Sequence, residues 1–228
     1  MPTLLPRRYL RRFADPGGRL PVIWVFRPEI GEWKPAPLDP EGAGRHFNAH
    51  DDPARPPFPA LEARLGALDD AAAAVTDRLL AAPAPLPPGD REVLAEWLAL
   101  MAIRLSARSG ALDEVEALRG HEELAPTLRE MGWVIWEAVP PAYFITSSSP
   151  FHVAFPRPDA SAGASPELSS PGVEITMPLT PRLALHATWK RRGELFRVAG
   201  EDALLELNGR TMLRARRFLA AHRPAVPG

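Results

Sequence analysis

The chain has 228 residues and a formal net charge of −1, and its 46% hydrophobic and 24% charged residues are those of an ordinary globular protein with room for one sizeable core. It contains no cysteine, which excludes disulfides, thiolate metal sites and cysteine nucleophiles and fits a reducing cytoplasm. The small net charge hides a segregation: residues 1–35 carry seven basic and three acidic side chains, residues 182–228 ten and four, and residues 36–181 ten and twenty-one.

Such basic ends around an acidic middle either dock onto that middle or meet a polyanion from outside. Arginine outnumbers lysine 25 to 2, and with abundant alanine and proline this has the look of a GC-rich coding bias. Arginine count is therefore no sign of nucleic-acid recognition by itself.

In chain order, Met1 to Phe13 contains Arg7, Arg8, Arg11 and Arg12 but lacks the uninterrupted apolar core of a signal peptide. After the turn signal Asp15-Pro16-Gly17-Gly18, the apolar run Leu20 to Phe26 predicts a strand. Prolines and glycines dominate Arg27 to Pro59, which reads as a long surface excursion with little regular structure. Leu61, Leu65, Leu68, Ala72, Val75 and Leu79 repeat at helical spacing and predict a helix over 60–81, broken by the prolines of 82–88. A second helix, capped by Asp90, reaches about Ser109; Glu96 and Arg104 interrupt its apolar stretch, which is too short to span a bilayer. Shorter helices are expected over Leu112–Leu118 and Glu122–Met131.

After Gly132 the pattern turns to strands. Trp133–Trp136 and Tyr143–Thr146 are expected to pair as a hairpin around Val139-Pro140-Pro141, with His152–Phe155, Val173–Leu179 and Leu183–Thr188 extending the sheet. Leu195–Val198 reads as a short strand or a lead-in to a helix. Glu201–Leu207 and Arg210–His222 read as helices, separated by a break at Asn208-Gly209. The expected fold class is α+β: a mainly antiparallel sheet with a helical block inserted after the first strand and C-terminal helices packed on it. One domain over 1–228 would comprise an N-terminal strand and long loop (1–59), the helical block (60–131), the sheet (132–200) and the C-terminal helices (201–228).

Four clusters carry chemistry-bearing side chains. Thr146-Ser147-Ser148-Ser149 before Pro150 could donate hydroxyls to an anion, although such runs are commonly turns and no Gly-x-Ser-x-Gly elbow marks a nucleophile. Glu62 and Asp69 lie two helical turns apart on one face, with Asp70 beside it, and Arg104 of the next helix could meet them in an ion cluster; a solvated face is the commoner meaning of such spacing. Arg45-His46-Phe47-Asn48-Ala49-His50-Asp51-Asp52 is the one metal-like stretch, but its flanking prolines and glycines argue against the helix that would align His46 with His50. Finally, Arg210, Arg214 and Arg217 would form a helical stripe, with Met212, Leu213 and Phe218 elsewhere for packing.

Taken in order, these pieces resemble the bacterial family called domain of unknown function 4238. Its N-terminal pattern is matched by Pro6, Leu10 and Phe13, its helix acids by Glu62 and approximately by Asp69, and its second-helix arginine by Arg104. Thr146, Ser147 and Pro150 match its strand-end motif, Pro178-Leu179-Thr180-Pro181 its later strand, and Leu207-Asn208 its close. Two positions depart: Thr3 stands for the family's histidine and Ser148 for its aspartate. The resemblance implies fold and extent rather than an activity. Where those two family residues are chemically active, it also implies that this chain has lost a base or ligand.

The functional expectation is a polar pocket between helices and sheet, lined by Glu62, Asp69, Arg104, Thr146, Ser147, Ser148 and Asn208, that binds a small polar or phosphorylated ligand. It calls for no cofactor, no metal and no membrane, and for a cytoplasmic location. One alternative is a hydrolase or nuclease-like defence factor using the helix carboxylates Glu62 and Asp69. Another is a nucleic-acid or protein-partner module using the terminal arginines, with nucleic acid not favoured.

Overall fold

The computed structural model describes residues 5–15, 20–38, 59–108, 113–155, 168–215 and 217–224. The first element, α1 (Arg7–Arg12), is a single amphipathic turn and a half. Leu5, Tyr9, Leu10 and Phe13 recur at helical spacing and are all at most 2% exposed, which leaves the arginines to the other side. Next, β1 (Val22–Arg27) pairs antiparallel with β2 (Glu32–Pro37).

That second strand replaces part of the expected excursion over Arg27–Pro59. Pro35 and Pro37 are tolerated because β2 is an edge strand. The amide of Leu38 donates to Pro21 O at 3.0 Å, so by alternation the two proline nitrogens face away from β1, where no hydrogen is needed.

The helical block is α2 (Pro59–Ala81), α3 (Pro88–Arg108) and α4 (Glu114–Glu130). In α2 the predicted apolar stripe is the buried one: Leu61, Leu65, Ala72, Val75 and Leu79 are all 3% exposed or less. Asp90 lies within the first turn of α3 rather than at its cap, and it pairs with Arg78 of α2 at 2.6 Å. The two short helices expected over 112–131 are one helix. Asp113 opens it with a capping box to Glu116, and it runs on through Gly120 and Pro126. Gly120 lets α3 come close, since a Cβ there would sit 3.0 Å from Ile103 Cδ1.

Two sheets follow. β3 (Gly132–Glu137), β5 (His152–Ala154), β6 (Glu174–Pro178), β7 (Leu183–Thr188) and β8 (Glu194–Val198) form a five-stranded sheet in the order β5-β6-β7-β3-β8. All its pairs are antiparallel except β3 with β8. β4 (Thr146–Ser147) and β9 (Leu219–Ala221) complete the other sheet, in the order β2-β1-β9-β4. The segment Leu195–Val198 is therefore a strand.

The expected hairpin of Trp133–Trp136 with Tyr143–Thr146 does not form. β3 pairs with β7 and β8 instead, and the backbone of Tyr143–Ile145 is occupied otherwise. Phe144 N donates to Pro181 O at 2.8 Å, while Ile145 N donates to the side chain of Asn208. The C-terminal region also differs. Helix α5 (Glu201–Leu213) passes straight through Asn208-Gly209 and ends at Leu213, and the stretch expected to be a second helix contains β9, held between β1 and β4.

One core cluster joins these parts. Leu94, Leu98 and Leu128 of the helical block pack with Ile135, Ile175, Met177 and Leu185 from one face of the five-stranded sheet, and with Ile23, Val25 and Ala220 of the other sheet. Tyr9, Leu10 and Phe13 of α1 belong to the same cluster, which places α1 where helices and both sheets converge. The opposite face of the five-stranded sheet receives α5 through Ala184, Leu207 and Phe144. No helix among the described residues is long and apolar enough to cross a membrane.

Candidate functional site

Around α1 a buried polar chain links all three layers. Tyr9 Oη donates to Pro178 O at 2.8 Å and lies 2.7 Å from Thr146 Oγ1. A phenol has one proton, so the Thr146 hydroxyl is the donor in the second bond. Burial, against the Thr146 hydrogen bond, pushes the Tyr9 phenol far above its ordinary range, so it stays neutral. The Tyr9 ring also meets Trp97 of α3 at 5.9 Å between centroids, and Trp97 Nε1 donates to Asp69 Oδ1 at 2.7 Å. Burial raises the Asp69 carboxyl, while the Trp97 hydrogen bond and the fields of Arg8 and Arg104 pull it back only in part. Arg104 itself is 3% exposed and has an interaction partner.

Asp69, Arg104 and Thr146, three of the residues expected to meet, thus belong to one neighbourhood, joined by Tyr9 and Trp97. The serines and Asn208 stand elsewhere and have other employment. Ser147 Oγ accepts from Ser149 N at 3.1 Å and closes a local turn, whereas Ser148 Oγ accepts from Arg217 N at 3.0 Å and ties β4 to the segment before β9. Asn208 Oδ1 accepts from Ile145 N at 3.0 Å and its Nδ2 donates to Tyr143 O at 3.0 Å, so the amide acts as a short surrogate strand. Glu62 lies on α2, with its side chain outside the described residues.

The room beside Asp69 is small. The cleft between Arg8, Tyr9, Thr76 and Trp97 leaves about 10 Å³, the space of a single water. A cavity of about 500 Å³ opens further along α1 and α2, and it is large enough for a metabolite. Arg12 lines both spaces.

Guanidiniums reach this cavity from three directions: Arg11 and Arg12 from α1, Arg182 from the β6–β7 turn, and Arg223 from beyond β9. Arg12 is fixed to α2 by Asp77 Oδ1 at 3.0 Å and Ala73 O at 2.7 Å. Arg182 pairs with Glu137. Among the described residues, neither Arg11 nor Arg223 is paired with a carboxylate, and on the Arg223 side the charge of Asp15 reaches His222 without forming an ion pair there. Arg223 donates to Pro141 O and stacks over Tyr143, its Cζ 4.7 Å from the ring centroid.

His222 adds an edge-on contact to Tyr143 at 4.6 Å, and its Nδ1 is buried with no hydrogen-bond partner. Burial, then the charge of Arg223, hold that imidazole below its usual range, so it is neutral at pH 7. Leu80, Ala142 and the proline walls supply apolar surface. Positive groups converging on a partly apolar hollow suit an organic anion.

The arginines of this cavity were visible in the sequence only as a basic run and as isolated residues. Their convergence depends on β9 threading between β1 and β4, which no local pattern signals. Of the expected Arg210–Arg214–Arg217 stripe, only Arg210 lies within α5, where it binds Glu174 at 2.7 Å. Met212 and Leu213, expected to pack, are 53% and 83% exposed, whereas Phe218 is buried. His46, His50, Asp51 and Asp52 lie outside the described residues. Among the described residues, no group of three or more histidine and acidic side chains is placed to hold a metal ion.

A family model described as a protein of unknown function, DUF4238, matches residues 4–123. The matched span runs from α1 to the middle of α4, so it includes Arg11, Arg12, Asp69 and Arg104 and ends before Thr146. No curated protein and no solved structure matches the chain.

Proposed function

The chain belongs to the DUF4238 family of unknown function, and we propose that its cavity between α1, α2 and the loops of the two sheets binds a small organic anion, carboxylated or phosphorylated. The observation that supports this reading most is the convergence of Arg11, Arg12, Arg182 and Arg223 on one cavity of about 500 Å³ where, among the described residues, Asp77 is the one lining carboxylate. Arg12, immobilised by Asp77 and Ala73, presents a preorganised guanidinium, while Arg11 and Arg223 have charge to spare. Tyr143 and the prolines would enclose the ligand's apolar part. A thermal-shift screen of carboxylated and phosphorylated metabolites tests the reading. Stabilisation by a subset, lost in Arg223→Gln, is expected; a flat response to every anion counts against it.

A second reading, hydrolysis with Asp69 as acid or base, draws on the raised Asp69 carboxyl next to space for one water. Turnover of phosphoester or carboxylic ester substrates that disappears in Asp69→Asn would support it. Equal rates in the two proteins would remove Asp69 from the chemistry.

A further inference from the structure

On the far side of the five-stranded sheet, α5 is fastened to β6 by one carboxylate. Glu174 accepts from Arg210 Nη2 at 2.7 Å and from Lys190 Nζ at 2.6 Å, and His186 Nε2 lies 3.5 Å away. Arg210 also pairs with Glu206, one turn earlier in α5. The strand register sets two histidines on either side of Thr176: His152 of β5 and His186 of β7 are both its partners, so all three side chains point to the face that α5 covers.

Each imidazole keeps one nitrogen without a hydrogen bond there. His152 Nδ1, His186 Nε2 and Arg210 Nη1 are buried without a hydrogen-bond partner. The charges facing His152 are Arg214, just past the end of α5, and Arg210 within it. Those facing His186 are Glu174 of β6, Arg210 and Glu206 of α5, and Lys190 of the turn after β7.

This docking matters for the cavity because α5 carries Asn208, whose amide holds the backbone of Tyr143 and Ile145. Tyr143 and Ala142 are cavity wall. Helix, amide and wall form one mechanical chain. We infer that α5 is a pH-sensitive latch on the anion cavity: protonation of His152 and His186 beneath it loosens the Glu174–Arg210 tie and releases Asn208's hold on the backbone of Tyr143 and Ile145, and with it the Tyr143 wall. As regulation of that cavity, the inference rests on the anion-binding reading; as a statement about α5, it does not.

The direction follows from the surroundings. Burial, then Arg214 and Arg210, depress His152 to about 4, and burial depresses His186 as well. Both are neutral in the fold and charged in a loosened state at mildly acid pH, so docking is complete above the ordinary histidine range near 6.5 and weakens as pH falls towards 4. Glu174 responds lower down. Burial would raise it, but the hydrogen bonds from Lys190 and Arg210 outweigh that and hold it at about 2. Between pH 7 and pH 5 the histidines act alone on this face.

Amide hydrogen exchange at Ile145 tests the latch in the full-length protein. Its protection factor, which already corrects for the intrinsic effect of pH on exchange, should fall about ten-fold or more from pH 7 to pH 5 in the wild type. It should stay constant in His152→Gln/His186→Gln or, where the pair does not fold, fall less in each single variant. Constant protection in the wild type overturns the latch, and so does an undiminished fall in the variants. Binding of sulfate, whose charge is fixed across this range, separates the two readings. Failure to bind at pH 7 sinks the anion cavity and leaves the latch to Ile145. Binding at pH 7 that does not weaken at pH 5, while Ile145 opens, overturns the coupling to the cavity.

Discussion

Tyr9 and Thr146 stand 137 positions apart in the chain, and their hydroxyls meet at 2.7 Å in the interior. With Pro178 O accepting the phenolic proton, one side chain of α1 ties the edge strand β4 of one sheet to the end of the inner strand β6 of the other. The position of α1 fixes where Arg11 and Arg12 point, so this buried pair also sets the geometry of the anion cavity.

Tyr9→Phe removes both bonds while keeping the ring against Phe13 and Trp97. Thr146 and Pro178 O are left unpaired in the interior, so the cost is about 1–3 kcal/mol. Urea unfolding measures it. A midpoint equal to that of the wild type would mean that these hydrogen bonds contribute nothing net.

Asn208 is expected to behave as a structural amide. Asn208→Leu strands Ile145 N–H and Tyr143 C=O and should cost about 2 kcal/mol. Asn208→Asp retains the acceptor for Ile145 and loses only the donor to Tyr143, so its cost should be smaller. Equal losses in the two variants would show that the amide's two bonds are not what holds this segment.

Asp69→Asn should stabilise the protein at pH 7. The folded environment raises the carboxyl, so ionised Asp69 is disfavoured there relative to the unfolded chain, and stability falls as pH rises through the raised value. Asparagine still accepts from Trp97 Nε1 without carrying the charge. The gain should vanish below the ordinary aspartate value of 3.8, where both side chains are neutral. Thermal unfolding of both proteins at pH 7 and near pH 3 decides it; a loss of stability at pH 7 would mean that Arg8 and Arg104 outweigh burial.

Gly132, at the start of β3, has no room for a methyl group. A Cβ there would lie 2.5 Å from Arg191 O, and that backbone cannot step aside cheaply. Gly132→Ala should cost about 1–3 kcal/mol in denaturant unfolding, and a neutral substitution would show that the turn after β7 is free to shift.

The elements most legible in the sequence are those whose signal is local and repeated. The stripe from Leu61 to Leu79 specified α2 and the face it buries, and the apolar runs expected as strands on either side of Thr180-Pro181 are β6 and β7. What stayed hidden depends on partners distant in the chain. Pro35 and Pro37 look like strand breakers until β2 is known to be an edge strand. Tyr143–Ile145 has the composition of a strand, yet its hydrogen bonds go to Asn208 and Pro181. Asn208-Gly209 looks like a helix break, yet the asparagine serves that segment from within α5. For the site, the sequence pointed to Asp69, Arg104 and Thr146 but not to Tyr9 or Trp97, which connect them, because an aromatic residue in an apolar stripe is indistinguishable from ordinary core.

The most direct test of the anion cavity is calorimetric titration of the full-length protein with inorganic pyrophosphate, wild type against Arg11→Gln/Arg223→Gln. These two arginines have no carboxylate partner among the described residues and hold no helix in place, so the fold should survive their loss. Binding by the wild type that weakens at least about ten-fold in the variant is predicted, each charge-assisted contact being worth about 1.5–3 kcal/mol. Equal affinity in the two proteins, or none in either, would contradict it.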